Sequence, residues 1–463
     1  MNAQVDRVAH AAAESFRAFA NSAATVRAQL LRAVAAGIEQ LGDALVECVQ
    51  RETALPAARI TGERARTCMQ LRLFADLAER NDWIDERIDT ADPGRTPPKP
   101  AVRSCLRPIG PVAIFAASNF PLAFSVAGGD TAAALAAGCT VVVKAHPAHP
   151  DTSQMVAHVI DAAVAQCGLP QGVFSLVSDT GHASGVALVQ HAAIRAGAFT
   201  GSLQGGTALW RAAQQRDEPI PFFAEMGSIN PVFILPRALK EKSEVLATGL
   251  HASMTLGVGQ FCTQPGVVFL IDDDAGRAFA ARLRALVEAT SPGVMLSSTI
   301  SGNYARAVAE RRVTPGVTAL AAAPGAELRD HDRQGCAALF STDAPTFIAQ
   351  ALLGEEVFGP SSLLVMCGSP GDFVHCAQAL RGQLTATVWA SDIAHDVDAD
   401  LLWTLEQKAG RIIFNGFPTG VEVGTAMMHG GPFPATTDSR YTSVGTRAIF
   451  RFVRPVAWQT PAT

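Results

Sequence analysis

An alternation of short β-forming runs with Ala-rich segments, from residue 111 to residue 200, constrains the fold more than any other feature. The runs are PVAIFA, TVVVKA, GVFSLV and AIRAGAFT. Helical segments of about 10 to 20 residues between short apolar runs are typical of βαβ units, in which parallel strands lie side by side. The pattern predicts a doubly wound α/β domain of the kind that binds nucleotides.

A second alternation follows toward the C-terminus. PVFILP, GVVFLID, LLVMC and TATVWAS predict strands, and residues 276–289 predict a helix between them. A chain of 463 residues is too long for one core of ordinary size. We therefore expect a second α/β domain.

The flanking segments have other patterns. Apolar residues recur at helical spacing from residue 3 to about residue 80, and residues 89–100 form a Pro-rich connector. The stretch 103–107 and the C-terminal run RAIFRFVRPVAWQ alternate as β-strands do. Such strands need a sheet edge to pair with.

Charge and hydropathy narrow the classes of function. The net charge is -5 and the 37 Lys and Arg residues are scattered, which argues against nucleic-acid binding. No segment offers the roughly 20 apolar residues of a membrane span, and the N-terminus lacks the apolar core of an export signal. The expectation is a cytoplasmic protein.

The chain has nine cysteines without CxxC spacing, which indicates reduced thiols and neither a disulfide framework nor a structural zinc site. His146 and His149 lack a third ligand nearby, so no metal is predicted. Seven of the eight cysteines other than Cys262 are interpreted as small buried hydrophobes: Cys48, Cys68, Cys139, Cys167, Cys336, Cys367 and Cys376.

Ligands of parallel sheets bind at the carboxyl ends of the strands, so the residues that follow each run are candidates. Asn119 follows the first run, Lys144 ends the second, and Gly201 and Ser202 follow the fourth. A cation there suits a cofactor's ribose or phosphate, and free N–H groups before a helix suit a pyrophosphate. The alternatives are a solvated lysine and an ordinary helix cap.

Cys262 lies in the run GVGQFCT, where two glycines leave the backbone unobstructed. A nucleophilic thiol needs a group that handles protons, and Glu225 in FFAEMG is the candidate. Its apolar neighbours predict partial desolvation and a raised pKa. The alternatives are a packing cysteine and a solvated acid.

The run EEVFGP places Glu356 and Phe358 ahead of a Gly-Pro turn. The acid could accept two hydrogen bonds from a ribose diol, and the aromatic ring could lie against a flat ring. The run is also consistent with a turn that has no other role.

Together these segments resemble the aldehyde dehydrogenase superfamily, in matching order from about residue 107 to the end. The matching motifs are SNFP (118–121), Lys144, FTGS (199–202), EMG (225–227), GQFC (259–262) and EVFGP (356–360). The resemblance implies a Rossmann-type parallel-sheet cofactor domain (1–96 and 110–227) and an α/β catalytic domain (228–432). It also implies a β oligomerisation arm (97–109 and 440–463) that forms a homodimer or homotetramer.

The same resemblance implies roles for the site residues. Cys262 would attack a small-molecule aldehyde to form a thiohemiacetal and then a thioester, with Asn119 and the Cys262 N–H holding the oxyanion. Glu225 would activate the hydrolytic water. Lys144 and Glu356 would bind the two riboses of NADP or NAD, and Ser202 the pyrophosphate.

The sequence around these motifs is similar to that of the α-ketoglutaric semialdehyde (2,5-dioxopentanoate) dehydrogenase branch. It is also similar to that of NADP-using fatty aldehyde dehydrogenases. The predicted substrate is 2,5-dioxopentanoate, giving 2-oxoglutarate, with Arg440 or Arg72 available to its carboxylate. The alternatives are a long-chain aldehyde, for which those arginines would meet no carboxylate, and a catalytically silent nucleotide-binding protein.

Two single positions and one short stretch depart from many relatives. Ser118 replaces a Trp, Pro147 replaces an acid three residues after Lys144, and Gly227-Ser228-Ile229 replaces Gly-Gly-Lys. An acid at position 147 would repel a 2′-phosphate, so its absence favours NADP.

Overall fold

The computed structural model describes residues 2–179, 181–323 and 333–461, which form two large sheets, two small antiparallel sheets and surrounding helices. The strands are β1 (Arg87–Asp89), β2 (Ala101–Pro108), β3 (Val112–Phe115), β4 (Val141–Lys144), β5 (Phe174–Val177), β6 (Ala196–Thr200), β7 (Phe222–Glu225), β8 (Val232–Ile234), β9 (Val267–Ile271), β10 (Gly293–Val294), β11 (Thr318–Ala322), β12 (Gln334–Gly335), β13 (Ala338–Asp343), β14 (Ser361–Cys367), β15 (Gln383–Trp389), β16 (Ala409–Phe414) and β17 (Val453–Thr460).

The α-helices alternate with these strands beyond the N-terminal region. They are α1 (Ala3–Ala20), α2 (Ala24–Gln40), α3 (Gly42–Thr53), α4 (Ala57–Arg80), α5 (Gly129–Ala137), α6 (Pro150–Gln166), α7 (His182–Gln190), α8 (Leu203–Gln214), α9 (Pro236–Thr255), α10 (Asp274–Glu288), α11 (Ser298–Val313), α12 (Ala344–Ala349), α13 (Gly371–Ala379), α14 (Ile393–Asp396) and α15 (Ala399–Lys408).

The first sheet contains the four strands predicted from the first alternation, together with β7. Its order is β5-β4-β3-β6-β7, and every pair is parallel. Helices α5 to α8 connect successive strands, so the prediction of a doubly wound domain is confirmed. The strand order reverses between β3 and β6, which is the place where such sheets bind ligands.

The helices predicted between residues 3 and 80 are present as α1 to α4. Leu31 of α2 and Phe74 of α4 are fully buried in one core with Val141 and Val143 of β4. Burying one such side chain contributes about 1.5–3 kcal/mol, so the helices are held mainly by this apolar contact.

The second sheet has seven strands in the order β11-β13-β14-β9-β8-β15-β16. All pairs are parallel except β11 with β13 at one edge. Phe233 and Phe269 stack in its core, with ring centroids 4.5 Å apart. The predicted helix is α10, which Asp273 caps by accepting the N–H of Gly276 at 2.9 Å.

The third sheet joins β1, β2 and β17 in antiparallel pairs. The prediction of a continuous C-terminal strand was wrong in its first half, because Thr446–Phe452 forms a 3-10 helix. Ile449 and Phe452 of that helix are buried in the first core, and this packing takes precedence over extended pairing. β1 lies outside the bounds predicted for the arm, and residues 462–463 lie outside the described residues.

In the ranges that the structure describes, we found no helix with both the length and the apolar character needed to cross a membrane.

Candidate active site

The carboxyl ends of the first sheet bring the sequence candidates to one edge. Asn119 follows β3, Lys144 ends β4, Gly201 follows β6 and Glu225 ends β7. Thr200 and Glu225 are direct partners in the parallel register. Four of the predicted site residues therefore lie along one edge of the first sheet.

Cys262 follows a 3-10 turn, Leu256–Gly259, whose last three residues all have left-handed backbone angles. Gly257, Val258 and Gly259 have φ values of 56, 59 and 65°. A Cβ on Gly259 would lie 2.3 Å from the carbonyl carbon of Gly359. Glycine is therefore required at 259, because the loop that carries Cys262 contacts the backbone of the run that carries Glu356.

The thiol of Cys262 lies beside two buried ionisable groups. Its Sγ is 3.4 Å from Nε2 of His429, and the same Nε2 is 2.8 Å from Oε1 of Glu225. The side chains of His429 and Glu225 are 0% and 2% exposed, so their charges are poorly screened by solvent. A nucleophile, a proton carrier and a carboxylate therefore share one cluster.

The cluster changes the acidity of two members in opposite directions. Burial raises the pKa of Cys262 well above its usual value, and the negative charge of Glu225 adds to the effect. Burial also pushes the pKa of Glu225 upward, but the interactions with His429, Ser443 and Cys262 together outweigh this and leave that pKa below the usual value. The sequence-based expectation of a raised Glu225 pKa was wrong, because it took no account of His429 and Ser443.

His429 and Ser443 belong to the cluster, although neither was among the residues predicted for the site. The Ser443 hydroxyl donates to Oε2 of Glu225, and the Ser443 N–H donates to the His429 carbonyl at 2.9 Å. Both residues lie in the Gly-rich C-terminal stretch, far along the chain from Cys262. A histidine inside the run MHGGPFP was the one local signal that could have pointed to the site.

Asn119 lies next to the thiol loop. Its side-chain amide donates to the Gln260 carbonyl at 3.1 Å, and Arg59 of α4 donates to the Asn119 carbonyl at 2.6 Å. Glu63 of α4 accepts two backbone N–H groups of the same loop, at 2.8 and 3.0 Å. Helix α4 thus fixes the loop that carries Asn119.

The residues predicted to bind a cofactor differ in which of their polar groups already have hydrogen-bond partners within the protein. Lys144 is buried, and its Nζ donates to the carbonyls of Ala145 and Asp179. The Ser202 hydroxyl caps α8 by accepting the N–H of Gly205 at 3.2 Å. The expectation of a free Gly201 N–H was wrong, because that group donates to the Glu225 carbonyl at 3.0 Å.

Glu356 and Phe358 are both half-buried. Loss of solvent around the carboxyl group raises the pKa of Glu356 to about 7, although the N–H of Ser228 partly offsets the effect. A Cβ on Gly227 would lie 2.6 Å from Oε2 of Glu356, so glycine is needed for this approach. The carboxyl group therefore lies next to the loop that follows Glu225.

The two arginines considered for a substrate carboxylate are on the surface. Arg72 pairs with Glu39 at 2.6 Å and Arg440 pairs with Asp438 at 2.6 Å. Both guanidinium groups are solvent-exposed and already engaged. The interpretation that either would meet a substrate carboxylate beside Cys262 was wrong.

The strand ends of a doubly wound sheet here meet a cluster of Cys262, His429 and Glu225, an arrangement that suits an enzyme with a thiol nucleophile. A model of the aldehyde dehydrogenase family matches residues 1–432, and the chain belongs to this family. It is an oxidoreductase that acts on aldehydes.

Two relatives cover almost the whole chain. Alpha-ketoglutaric semialdehyde dehydrogenase 2 of Azospirillum brasilense is 48% identical over 459 residues, which are 99% of this chain and 87% of the relative. Alpha-ketoglutaric semialdehyde dehydrogenase of Acinetobacter baylyi is 44% identical over 458 residues, which are 98% of this chain and 86% of the relative.

Solved structures share the fold at low identity. Betaine aldehyde dehydrogenase of Staphylococcus aureus has a TM-score of 0.83 and 19% identity, covering 98% of this chain and 87% of that one. A 3,6-anhydro-L-galactose dehydrogenase in complex with NAP has a TM-score of 0.83 and 22% identity, covering 99% and 92%. The predicted fold, a Rossmann-type domain joined to a second α/β domain, is confirmed.

Proposed function

We propose that this protein oxidises 2,5-dioxopentanoate to 2-oxoglutarate with NADP or NAD, through a thioester on Cys262. The observation that carries the mechanism is the buried contact among Cys262, His429 and Glu225. The substrate is supported by two relatives of 48% and 44% identity whose names give this semialdehyde.

The first step is activation of the thiol. Because the pKa of Cys262 is raised, the thiol holds its proton at neutral pH and must lose it as it attacks. His429 Nε2, 3.4 Å from the sulfur, receives that proton as it passes its own to Oε1 of Glu225, 2.8 Å away. Glu225 must then release this proton to solvent before it can accept one from the hydrolytic water. The aldehyde oxygen then gains negative charge, which the Asn119 amide and the Cys262 N–H stabilise.

The second half of the reaction releases the acid. Glu225 is ionised at neutral pH because its pKa is lowered, and it can therefore take a proton from water directed at the thioester. The Ser443 hydroxyl holds one oxygen of the carboxylate. The contact with His429 keeps the other oxygen near the sulfur.

The residues at the strand ends fit a nicotinamide dinucleotide. Lys144 offers a buried cation whose hydrogen bonds, in the described part of the chain, go to carbonyl oxygens, and Glu356 offers a carboxyl group for a ribose. Ser202 and the start of α8 would meet the pyrophosphate, and Phe358 would lie near a flat ring. The bound cofactor would accept the hydride.

NADP is the preferred cofactor in this proposal. Pro147 is exposed, three residues after Lys144, and puts no negative charge where a 2′-phosphate would lie. Pro147→Glu is expected to raise KM for NADP about tenfold or more and to leave KM for NAD less affected, because like charges repel. A uniform change in both KM values would contradict the assignment.

The substrate is tested by comparing kcat/KM for 2,5-dioxopentanoate and decanal with each cofactor, in the wild type and in Cys262→Ala. We expect the semialdehyde to be preferred and the variant to lose activity by more than about 10³-fold. A clear preference for decanal would instead indicate a long-chain aldehyde dehydrogenase. An undiminished rate in Cys262→Ala would rule out the covalent mechanism.

We also propose that the sheet of β1, β2 and β17 is an oligomerisation arm of a homodimer or homotetramer. Trp458 and Ile88 of this sheet are 43% and 67% exposed, which is costly for large apolar side chains unless another surface covers them. Light scattering on the pure protein measures the number of subunits. A monomer at micromolar concentration would refute the arm.

A further inference from the structure

Helix α4 presents a line of polar side chains toward the site. Arg59, Glu63, Arg66 and Gln70 follow one another at spacings of four, three and four residues, which places them on one helical face. Arg59 and Arg66 are partly buried, unlike Arg72 on the exposed surface. β16 contributes a further partly buried arginine, Arg411.

Arg66 and Arg411 converge on one segment. Arg66 Nη1 donates to the Val421 carbonyl, and Arg411 Nη2 donates to the carbonyls of Pro418 and Gly420 at 3.1 and 3.3 Å. The two guanidinium groups therefore contact the same short segment, residues 418–421.

Both guanidinium groups have donor atoms that are buried and that find no acceptor among the described residues. These atoms are Nε and Nη2 of Arg66 and Nε of Arg411. In the described part of the chain, the hydrogen bonds of these two side chains go to carbonyl oxygens and to one Met427 sulfur, not to a carboxylate. Buried donors without acceptors are unusual in proteins and suggest that a ligand supplies the acceptor.

The thiol is within electrostatic range of both arginines. Burial lowers the pKa of Arg66 and of Arg411, and the Cys262 sulfur is among the groups that counter it in each case. Three carboxyl groups also raise the pKa of Arg66, those of Glu63, the exposed Glu422 and Glu225. Glu63 accepts two backbone N–H groups of the Asn119 loop with one carboxyl oxygen, and burial raises its pKa.

Arg59 has a different role. Its guanidinium group lies 5.0 Å from the ring centroid of Phe120 and 4.7 Å from that of Phe261, and it also binds the Asn119 carbonyl. These contacts fix both loops of the site, and Nη1 of Arg59 is a further buried donor that finds no acceptor among the described residues. We regard Arg59 as a positioning residue.

We propose that Arg66 and Arg411 bind the carboxylate of the substrate while its aldehyde carbon lies at Cys262. This inference rests on the proposed function and names the residues that select an acidic aldehyde over a neutral one. Two oxygens of one carboxylate match the paired, planar donors of guanidinium groups. An alkyl chain in the same place would leave these donors unpaired, which disfavours long neutral aldehydes.

The test compares 2,5-dioxopentanoate with pentanal, an aldehyde of the same carbon number without a carboxylate. In Arg66→Met and Arg411→Met, the ratio of kcat/KM for 2,5-dioxopentanoate to that for pentanal should fall by about 10²-fold, mainly through KM. Arg66→Lys should restore part of the ratio because it keeps the charge. Arg64→Met is the matched control, because Arg64 lies on α4 but donates to Gly42 at the surface.

A second readout does not need turnover. Glutarate, a dicarboxylate without an aldehyde, should protect Cys262 from iodoacetamide in the wild type and should protect Arg66→Met at least about tenfold more weakly. In Cys262→Ala, any reaction with iodoacetamide measures alkylation of the other cysteines, and this background is subtracted. Equal protection of the wild type and both Met variants would overturn the inference.

The outcomes separate the inference from the proposed function. The wild type could prefer 2,5-dioxopentanoate while kcat/KM for both substrates falls equally in the two Met variants. In that case the arginines only hold the 418–421 segment, and the inference is wrong while the proposed function stands. If the wild type oxidises pentanal or decanal but not 2,5-dioxopentanoate, the proposed substrate falls with the inference. If the wild type oxidises no aldehyde, the proposed function falls, while glutarate protection still decides the arginine site.

Discussion

Nε2 of His429 lies 2.8 Å from Oε1 of Glu225, and both side chains are almost fully excluded from solvent. This contact keeps the pKa of Glu225 low in a place where burial alone would raise it. It also places one nitrogen between the carboxylate and the Cys262 sulfur. A single histidine thereby links thiol activation to water activation.

Replacing His429 should slow thiol activation. In His429→Asn, kcat/KM for the aldehyde and the rate of Cys262 alkylation by iodoacetamide should both fall about 10²-fold, because the thiol loses its proton acceptor. His158→Asn, on the exposed face of α6, is the control. Alkylation at the wild-type rate would show that another group takes the proton.

The same variant should change the pH dependence of kcat. Without His429, burial dominates and the pKa of Glu225 rises, so the carboxylate becomes protonated at a higher pH than in the wild type. The acidic limb of the kcat profile should therefore move to higher pH. A profile that superimposes on that of the wild type would show that His429 does not set the acidity of Glu225.

Glu225→Gln should uncouple the two halves of the reaction. The first turnover should still release reduced cofactor as a burst, because thioester formation uses His429. Steady-state turnover should fall about 10²–10⁴-fold, because no carboxylate accepts the proton of the attacking water. Rapid mixing separates the two phases, and loss of the burst would place Glu225 in thioester formation instead.

Glu356 should make stability depend on pH. Its pKa is about 7 in the folded protein against an ordinary 4.5, so between these values the folded state keeps a proton that the unfolded chain has released. The free energy of unfolding therefore decreases as pH rises through this window and stays reduced above it.

Glu356→Gln removes that penalty. Its Tm relative to the wild type should be higher above pH 7 than below pH 4.5. Glu355→Gln, an exposed neighbour, is the control. Thermal unfolding across this range measures the effect, and a difference that is independent of pH would mean that Glu356 is not desolvated.

Gly259→Ala should destabilise the junction between the thiol loop and the Glu356 run. The new Cβ would meet the Gly359 backbone at 2.3 Å, and the position has a φ of +65°. We expect a loss of about 1–3 kcal/mol and reduced activity. Gly62→Ala, where nothing lies within 4 Å of the new Cβ, should be neutral or slightly stabilising. Equal Tm values for both variants would argue against the close approach.

The sequence by itself determined the alternating α/β architecture, because the period of the apolar residues is a local property. It also placed Asn119, Lys144 and Glu225 at one sheet edge, since parallel strands end on the same side. The structure has these features where they were predicted. The C-terminal run RAIFRFVRPVAWQ shows where prediction from a local pattern fails. Ile449 and Phe452 pack into a distant core instead of continuing a strand.

The tertiary structure alone decided the chemistry within the site. His429 and Ser443 reach Glu225 from a distant part of the chain, and the direction of the Glu225 pKa shift depends on them. Arg66 and Arg411 likewise come from separate elements that meet at residues 418–421. Acidity and charge selectivity depend on distances across space, and these distances follow from how the whole chain packs and not from any local pattern.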